Sequence, residues 1–184
     1  REEYRGGSLA NVVNKFFGTL RNVYNFFVLY SNEDDVDPKA FDVPVADRPE
    51  LDRWILSRYN RLVADVRAGM GAYDHMKSVH ALTDFVSEDL SNWYIRRARR
   101  RFYGEEMTLD KQSVYLTTYE VLTGVAKLIA PFAPFLSDEM YINLTGNESV
   151  HLDYFPEADE TLIDEAVEER MDLVRPLVAR GRGP

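Results

Sequence analysis

The sequence predicts an all-α fold, an antiparallel bundle of four long helices with shorter helices added at the C-terminal end. Three observations predict it. Apolar residues recur at three- and four-residue spacing through long stretches, the repeat that lines one face of an α-helix. Glycines and prolines cluster mainly between those stretches, where they punctuate the chain. Residues 74–103 contain neither glycine nor proline, enough for one rod of about 45 Å at roughly 1.5 Å per residue.

The first helix is expected from Ser8, a plausible cap, to Tyr30, with Leu9, Val12, Val13, Phe16, Phe17, Leu20, Val23, Tyr24, Phe27 and Val28 inward. Residues 33–49, acidic and ending at Pro49, read as an ordered but irregular connection. A second helix follows from Glu50 to Gly69, burying Leu51, Trp54, Ile55, Leu62 and Val66. The third starts at its cap Asp74 and runs to Tyr103, where Gly104 stops it. The fourth spans Asp110 to Ala130 and ends at Pro131. A short helix, Phe135 to Leu144, precedes Gly146 and a short extended piece, Val150 to Phe155. The last helix, Thr161 to Arg180, carries Glu165, Glu168, Glu169 and Asp172, and Pro176 is expected to kink it or end it early. No internal repeat or low-complexity tract occurs. The 184 residues suit one helical domain, with 8–145 as core bundle and 146–184 as the extended segment and final acidic helix.

With 45% hydrophobic and 29% charged residues the chain is neither disordered by composition nor short of core. It has no cysteine, which excludes disulfides, thiolate metal sites and cysteine nucleophiles and fits a reducing cytoplasm. The longest apolar stretch, Val125 to Leu136, is broken by Lys127, Pro131 and Pro134, so no membrane span is expected. The net charge of −9 speaks against a general nucleic-acid binder. Distribution matters more than the sum: five of the 22 basic residues fall in Arg96–Arg101.

Catalytic patterns are missing. His75 and His80 are five apart, off the i, i+4 spacing that places two imidazoles on one helical face for zinc, and His151 stands alone. No phosphate-cradling glycine loop and no Gly-x-Ser-x-Gly elbow is present. The segment with a chemical message is Leu90 to Tyr103. At roughly 100° per residue, Trp93, Arg96, Arg97, Arg100 and Arg101 share one arc of about 140°. Arginine offers forked contacts to phosphate, and Trp93 a stacking surface. A second reading stays open: the arginines pair with acids on neighbouring helices and favour the helix C-terminus, while Trp93 joins the core.

Resemblance adds to this reading. Leu51-Asp52-Arg53-Trp54-Ile55-Leu56-Ser57-Arg58 resembles a helix opening in the anticodon-binding domains of isoleucyl-, valyl- and leucyl-tRNA synthetases. Asp84-Phe85-Val86, then Asp89 to Ile95 and Arg96-Arg97-Ala98-Arg99-Arg100-Arg101-Phe102, is similar to the isoleucyl branch of these class I aminoacyl-tRNA synthetases. Asn11 to Tyr24, Leu128-Ile129-Ala130-Pro131-Phe132-Ala133-Pro134-Phe135 and Ser149-Val150-His151-Leu152 match in the family's order, so the likeness spans about residues 9–182. Tyr103 departs from it, standing where this branch often has tryptophan, as does Pro176.

The resemblance implies a piece of a cytoplasmic, monomeric synthetase, following its catalytic domain. It implies tRNA binding through Trp93, Arg96, Arg97, Arg100 and Arg101, with isoleucine tRNA and the rest of the synthetase chain as partners. No cofactor is expected in this piece; ATP and Mg serve the catalytic domain, whose two signature motifs are missing here. A valyl or leucyl synthetase domain is the nearest alternative. From other classes come a protein-interaction module that uses the acidic last helix and a purely structural spacer.

Overall fold

The computed structural model describes residues 13–180, and among these every regular element is helical. The expected cap Ser8 and the start of the first helix lie outside the described residues. Helix α1 opens as a wide-turned π segment, Val13–Gly18, and continues without a break as an α-helix, Thr19–Glu33. Leu20, Val23 and Phe27 form its buried stripe. It passes the expected end at Tyr30 by three residues, because the Asp34 amide still reaches the Tyr30 carbonyl. The connection to α2 (Glu50–Gly71) contains two 3-10 turns, Pro38–Ala40 and Val45–Asp47. Buried Arg48 pins it: Nε donates to the Val43 carbonyl at 2.9 Å, and the two Nη atoms hold Glu120 at 2.6 and 3.1 Å.

The long rod is present as α3, built of an α segment His75–Asp84, a π segment Phe85–Ile95 and an α segment Arg96–Phe102. The Asp74 side chain caps it by accepting from the Lys77 amide. In the π segment hydrogen bonds skip one residue more than in an α-helix, so each residue turns less than the roughly 100° of the α form. Helix α4 (Leu109–Ile129), capped by Thr108, is the most buried, with Val114, Tyr115, Val121, Leu122 and Val125 shut from solvent. Helix α5 is Pro134–Thr145; Gly146, at φ +74, supplies the left-handed residue that ends it.

The expected extended piece at Val150–Phe155 is instead a 3-10 turn, Val150–Leu152. Asp138 accounts for the difference, since its Oδ1 accepts from both the Ser149 hydroxyl and the Val150 amide. The last helix, α6 (Glu165–Arg180), starts later than expected, behind a separate turn Glu160–Leu162. Pro176 lies inside it without ending it. The carbonyl it leaves without an amide donor is that of Asp172, one turn earlier, and both residues are exposed. Among the described residues no helix is long and apolar enough to cross a membrane.

Helix α2 is central: it packs on α3, α4 and α6, while α1 crosses α3 and α4. Two glycines permit close crossings. A Cβ on Gly124 would meet the Tyr59 hydroxyl at 2.1 Å, and one on Gly69 would meet Ser78 Oγ at 2.4 Å. Gly124→Ala is expected to lose about 1–3 kcal/mol, because overlap at the α2–α4 crossing outweighs the helical preference for alanine. Urea unfolding measures this; an unchanged midpoint would show that Tyr59 moves aside freely.

Asp153 fastens the end of the bundle. Lys127 Nζ contacts it at 2.7 Å, and the Tyr141 hydroxyl donates to it. These hydrogen bonds, Lys127's foremost, hold its carboxyl at a pKa of about 2, below its ordinary 3.8. A depressed carboxylate stabilises the fold above its ordinary pKa, and that contribution is lost as pH falls through the folded value. The stability gap between the native chain and Asp153→Asn should therefore be full at neutral pH and close between about pH 4 and pH 2. Urea titrations across that range read it.

Candidate nucleic-acid interface

The C-terminal end of α3 carries all five expected site residues, and the structure divides them between two faces. Trp93 is 7% exposed, and its indole N–H is buried without a partner. The Arg97 guanidinium lies over its ring, and Arg175 of α6 sits 5.3 Å from the centroids of both Trp93 and Trp54. Trp93 is thus a covered support for Arg97, not an open stacking surface. Arg175 is fixed in turn by Asp89, at 2.6 Å, and by the Glu88 carbonyl. Asp89 also takes Arg58 Nε at 3.0 Å.

Arg101 points inward. Its Nη1 and Nη2 grip both oxygens of Asp52 at 2.6 and 2.7 Å, and Nε donates to Asp110 at 3.0 Å. Asp52 has no exposed surface. It also accepts from the Tyr94 hydroxyl at 2.9 Å and the Ser113 hydroxyl at 2.6 Å, so four donor groups satisfy one carboxylate. Burial acts to lower the Arg101 pKa, yet hydrogen bonds and charge from Asp52 carry it above its ordinary value. Burial, then the adjacent carboxylate, pushes the Tyr94 hydroxyl well above the usual tyrosine range. Both groups stay in their protonated, donating forms across the physiological range.

Arg96 and Arg100 point outward, with Arg99 beside them, and all three are exposed. Among the described residues none of these three takes part in an ion pair. Elsewhere Arg48, Arg58, Arg61, Arg67, Arg170 and Arg175 each hold a carboxylate. Exposed Arg21 of α1 also lacks a carboxylate, but only at the end of α3 do three such arginines fall within two turns.

Arg96–Phe102 is α-helical, so the arc of about 140° holds for the four arginines but runs from solvent at Arg96 and Arg100 to the core at Arg101. The preceding π segment shifts only Trp93 relative to them. Sequence reasoning also missed Asp52 as a buried carboxylate; its only signal is an acid inside the apolar stripe of Leu51, Trp54 and Ile55. The acidic face of α6 is partly spent inside the molecule. Glu168 is buried against Ser57, Arg58 and Arg61, and Glu165 faces Arg61 at 3.5 Å. His75, His80 and His151 are exposed, and among the described residues no three potential ligand side chains gather as a metal site.

Comparison with known proteins places this geometry. Residues 52–182 match the family model described as the anticodon-binding domain of tRNA ligase. The chain is 47% identical over 168 residues to an isoleucine–tRNA ligase of Porphyromonas gingivalis, covering 91% of this chain and 15% of that protein. It is 47% identical over 180 residues to the isoleucine–tRNA ligase of Thermus thermophilus, covering 95% of this chain and 17% of that protein. With the enzyme of that name from Dehalococcoides mccartyi the identity is 43%, again over 95% of this chain and here 18% of the relative. The chain therefore spans less than a fifth of these relatives.

Asp52→Ala should cost about 3–5 kcal/mol, since it strands the Arg101 guanidinium and two buried hydroxyls at once. Denaturant unfolding measures it. A loss under about 1 kcal/mol would show that water replaces the carboxylate.

Proposed function

We infer the function of this chain from the family it belongs to, the anticodon-binding domains of tRNA ligases. It binds the anticodon stem-loop region of isoleucine tRNA, while a catalytic domain elsewhere in a cytoplasmic, monomeric synthetase attaches isoleucine using ATP and Mg. The observation that carries the site is the set of exposed arginines, Arg96, Arg99 and Arg100, without carboxylate partners at the end of α3. Guanidinium groups there offer forked, charge-assisted contacts to phosphate oxygens. Arg97, laid on Trp93, adds a fourth cation at fixed height beside them.

The acidic remainder of the molecule favours this reading over unspecific phosphate binding. Against the acidic excess of the molecule the strip is a concentration of unpaired positive charge, so charge helps to orient the encounter. Arg101 serves the strip indirectly, by locking the last turn of α3 to α2 and α4 through Asp52 and Asp110. Among the described residues no cluster of metal ligands occurs, and no step of amino-acid activation is assigned to this chain. Burial of Glu168 against Arg58 and Arg61 takes one acid away from the outer face of the last helix, which weakens support for a protein-binding role there.

Titration with an isoleucine tRNA transcript and an anticodon-swapped transcript, each at two salt concentrations, tests the reading. Binding should weaken with salt for both transcripts, and the swapped transcript should bind more weakly at each salt concentration. Arg96→Glu combined with Arg100→Glu should lower affinity by at least about 10-fold and flatten the log–log salt slope by about 1.5–2, the effect of two lost phosphate contacts. Unchanged affinity with an intact fold would remove these arginines from the interface.

A further inference from the structure

Tyr103, the residue that follows α3, is 49% exposed. Its ring leans on Tyr30 at a tilt of 45°, with centroids 5.2 Å apart. Tyr30 is fixed by Phe26 at 4.8 Å and Phe102 at 6.1 Å, and Phe102 meets Tyr115 edge-on at 4.9 Å. Phe102 and Tyr115 are fully buried. An aromatic column thus rises from the core through α4, α3 and α1 and ends in a half-open ring. Arg99 stands next to it, 5.2 Å from the Phe26 centroid.

From this arrangement we propose that Tyr103 is a stacking seat for one unpaired RNA base, with Arg99 and Arg100 holding the adjoining phosphates. The proposal rests on the RNA-binding reading and supplies the aromatic surface that buried Trp93 lacks. A ring held by its neighbours has little freedom left to lose on binding, and every base has a face to stack. Nearby acids favour a base over a phosphate on the ring itself. Glu33 lies close to Tyr30, and the exposed Glu105 and Glu106 follow Gly104. These carboxylates repel phosphate but tolerate an uncharged base.

The test compares the anticodon stem-loop RNA with a fully paired RNA duplex of equal length, using the chain and its variants Tyr103→Ala, Tyr103→Leu and Tyr103→Phe. Tyr103→Leu keeps apolar bulk against Tyr30, which guards against loss of fold, and thermal unfolding of each variant is followed alongside. Tyr103→Ala and Tyr103→Leu should weaken stem-loop binding on the order of 10-fold and leave duplex binding unchanged, while Tyr103→Phe retains both. Equal losses on both RNAs, or no loss on either, would overturn the stacking seat and leave RNA binding by the arginines standing. A native chain that binds neither RNA at low salt would overturn the RNA-binding reading, and the seat with it.

Discussion

One buried carboxylate holds the functional end of the molecule together. Asp52 sits in the middle of three helices and receives a forked guanidinium from α3 and hydroxyls from α3 and α4. An ionised group in such a place is tolerable only when its lone pairs are met, and here they are. Its contribution lies in geometry more than in net stability, because a well-packed apolar replacement would often hold as firmly. What an apolar replacement does not reproduce is direction. Forked bonds set the rotation of the last turn of α3, and with it which arginines look outward.

The arginines of that turn divide by what their neighbours offer. Arg101 faces acids and is consumed by them; Arg97 faces an indole and lies on it; Arg96, Arg99 and Arg100 face water. Such a division lets an acidic chain keep a small cationic surface. Were all its bases paired, the net charge of −9 would repel RNA from every side. Because most other arginines of the bundle neutralise acids locally, Arg96, Arg99 and Arg100 form the densest cluster of unpaired positive charge that a polyanion meets.

Much of the fold was legible in the residues. Stripes such as Leu20, Val23 and Phe27 repeat with the helical period, and Asp74 and Gly146 mark ends by known local chemistry. What was not legible came from contacts distant in sequence. Val150 to Phe155 has the residue types of an extended segment, but Asp138 captures its first amide and the preceding Ser149 hydroxyl, and the chain curls. Glu168 reads as one acid on a solvated face, and only the approach of α2 turns it inward against Arg58 and Arg61. For the candidate site, the residue types were visible and their directions were not. An arc of about 140° is wide enough to run from solvent to core, and only Asp52 of α2 and Asp110 of α4 decide that its Arg101 edge is the buried one. Tyr103 stood out only as a departure from a familiar pattern, since half-exposure on an aromatic column is a property of three helices, not of one.

The pairing of Arg175 with two indoles has a practical meaning beyond packing. The chain contains two tryptophans, and both flank this one guanidinium. Its tryptophan emission therefore originates at a single joint, where α6 meets α2 and α3. The protein carries a built-in optical gauge of whether its last helix is seated, and Arg97, resting on one of the two lamps, wires the cationic strip to the same gauge.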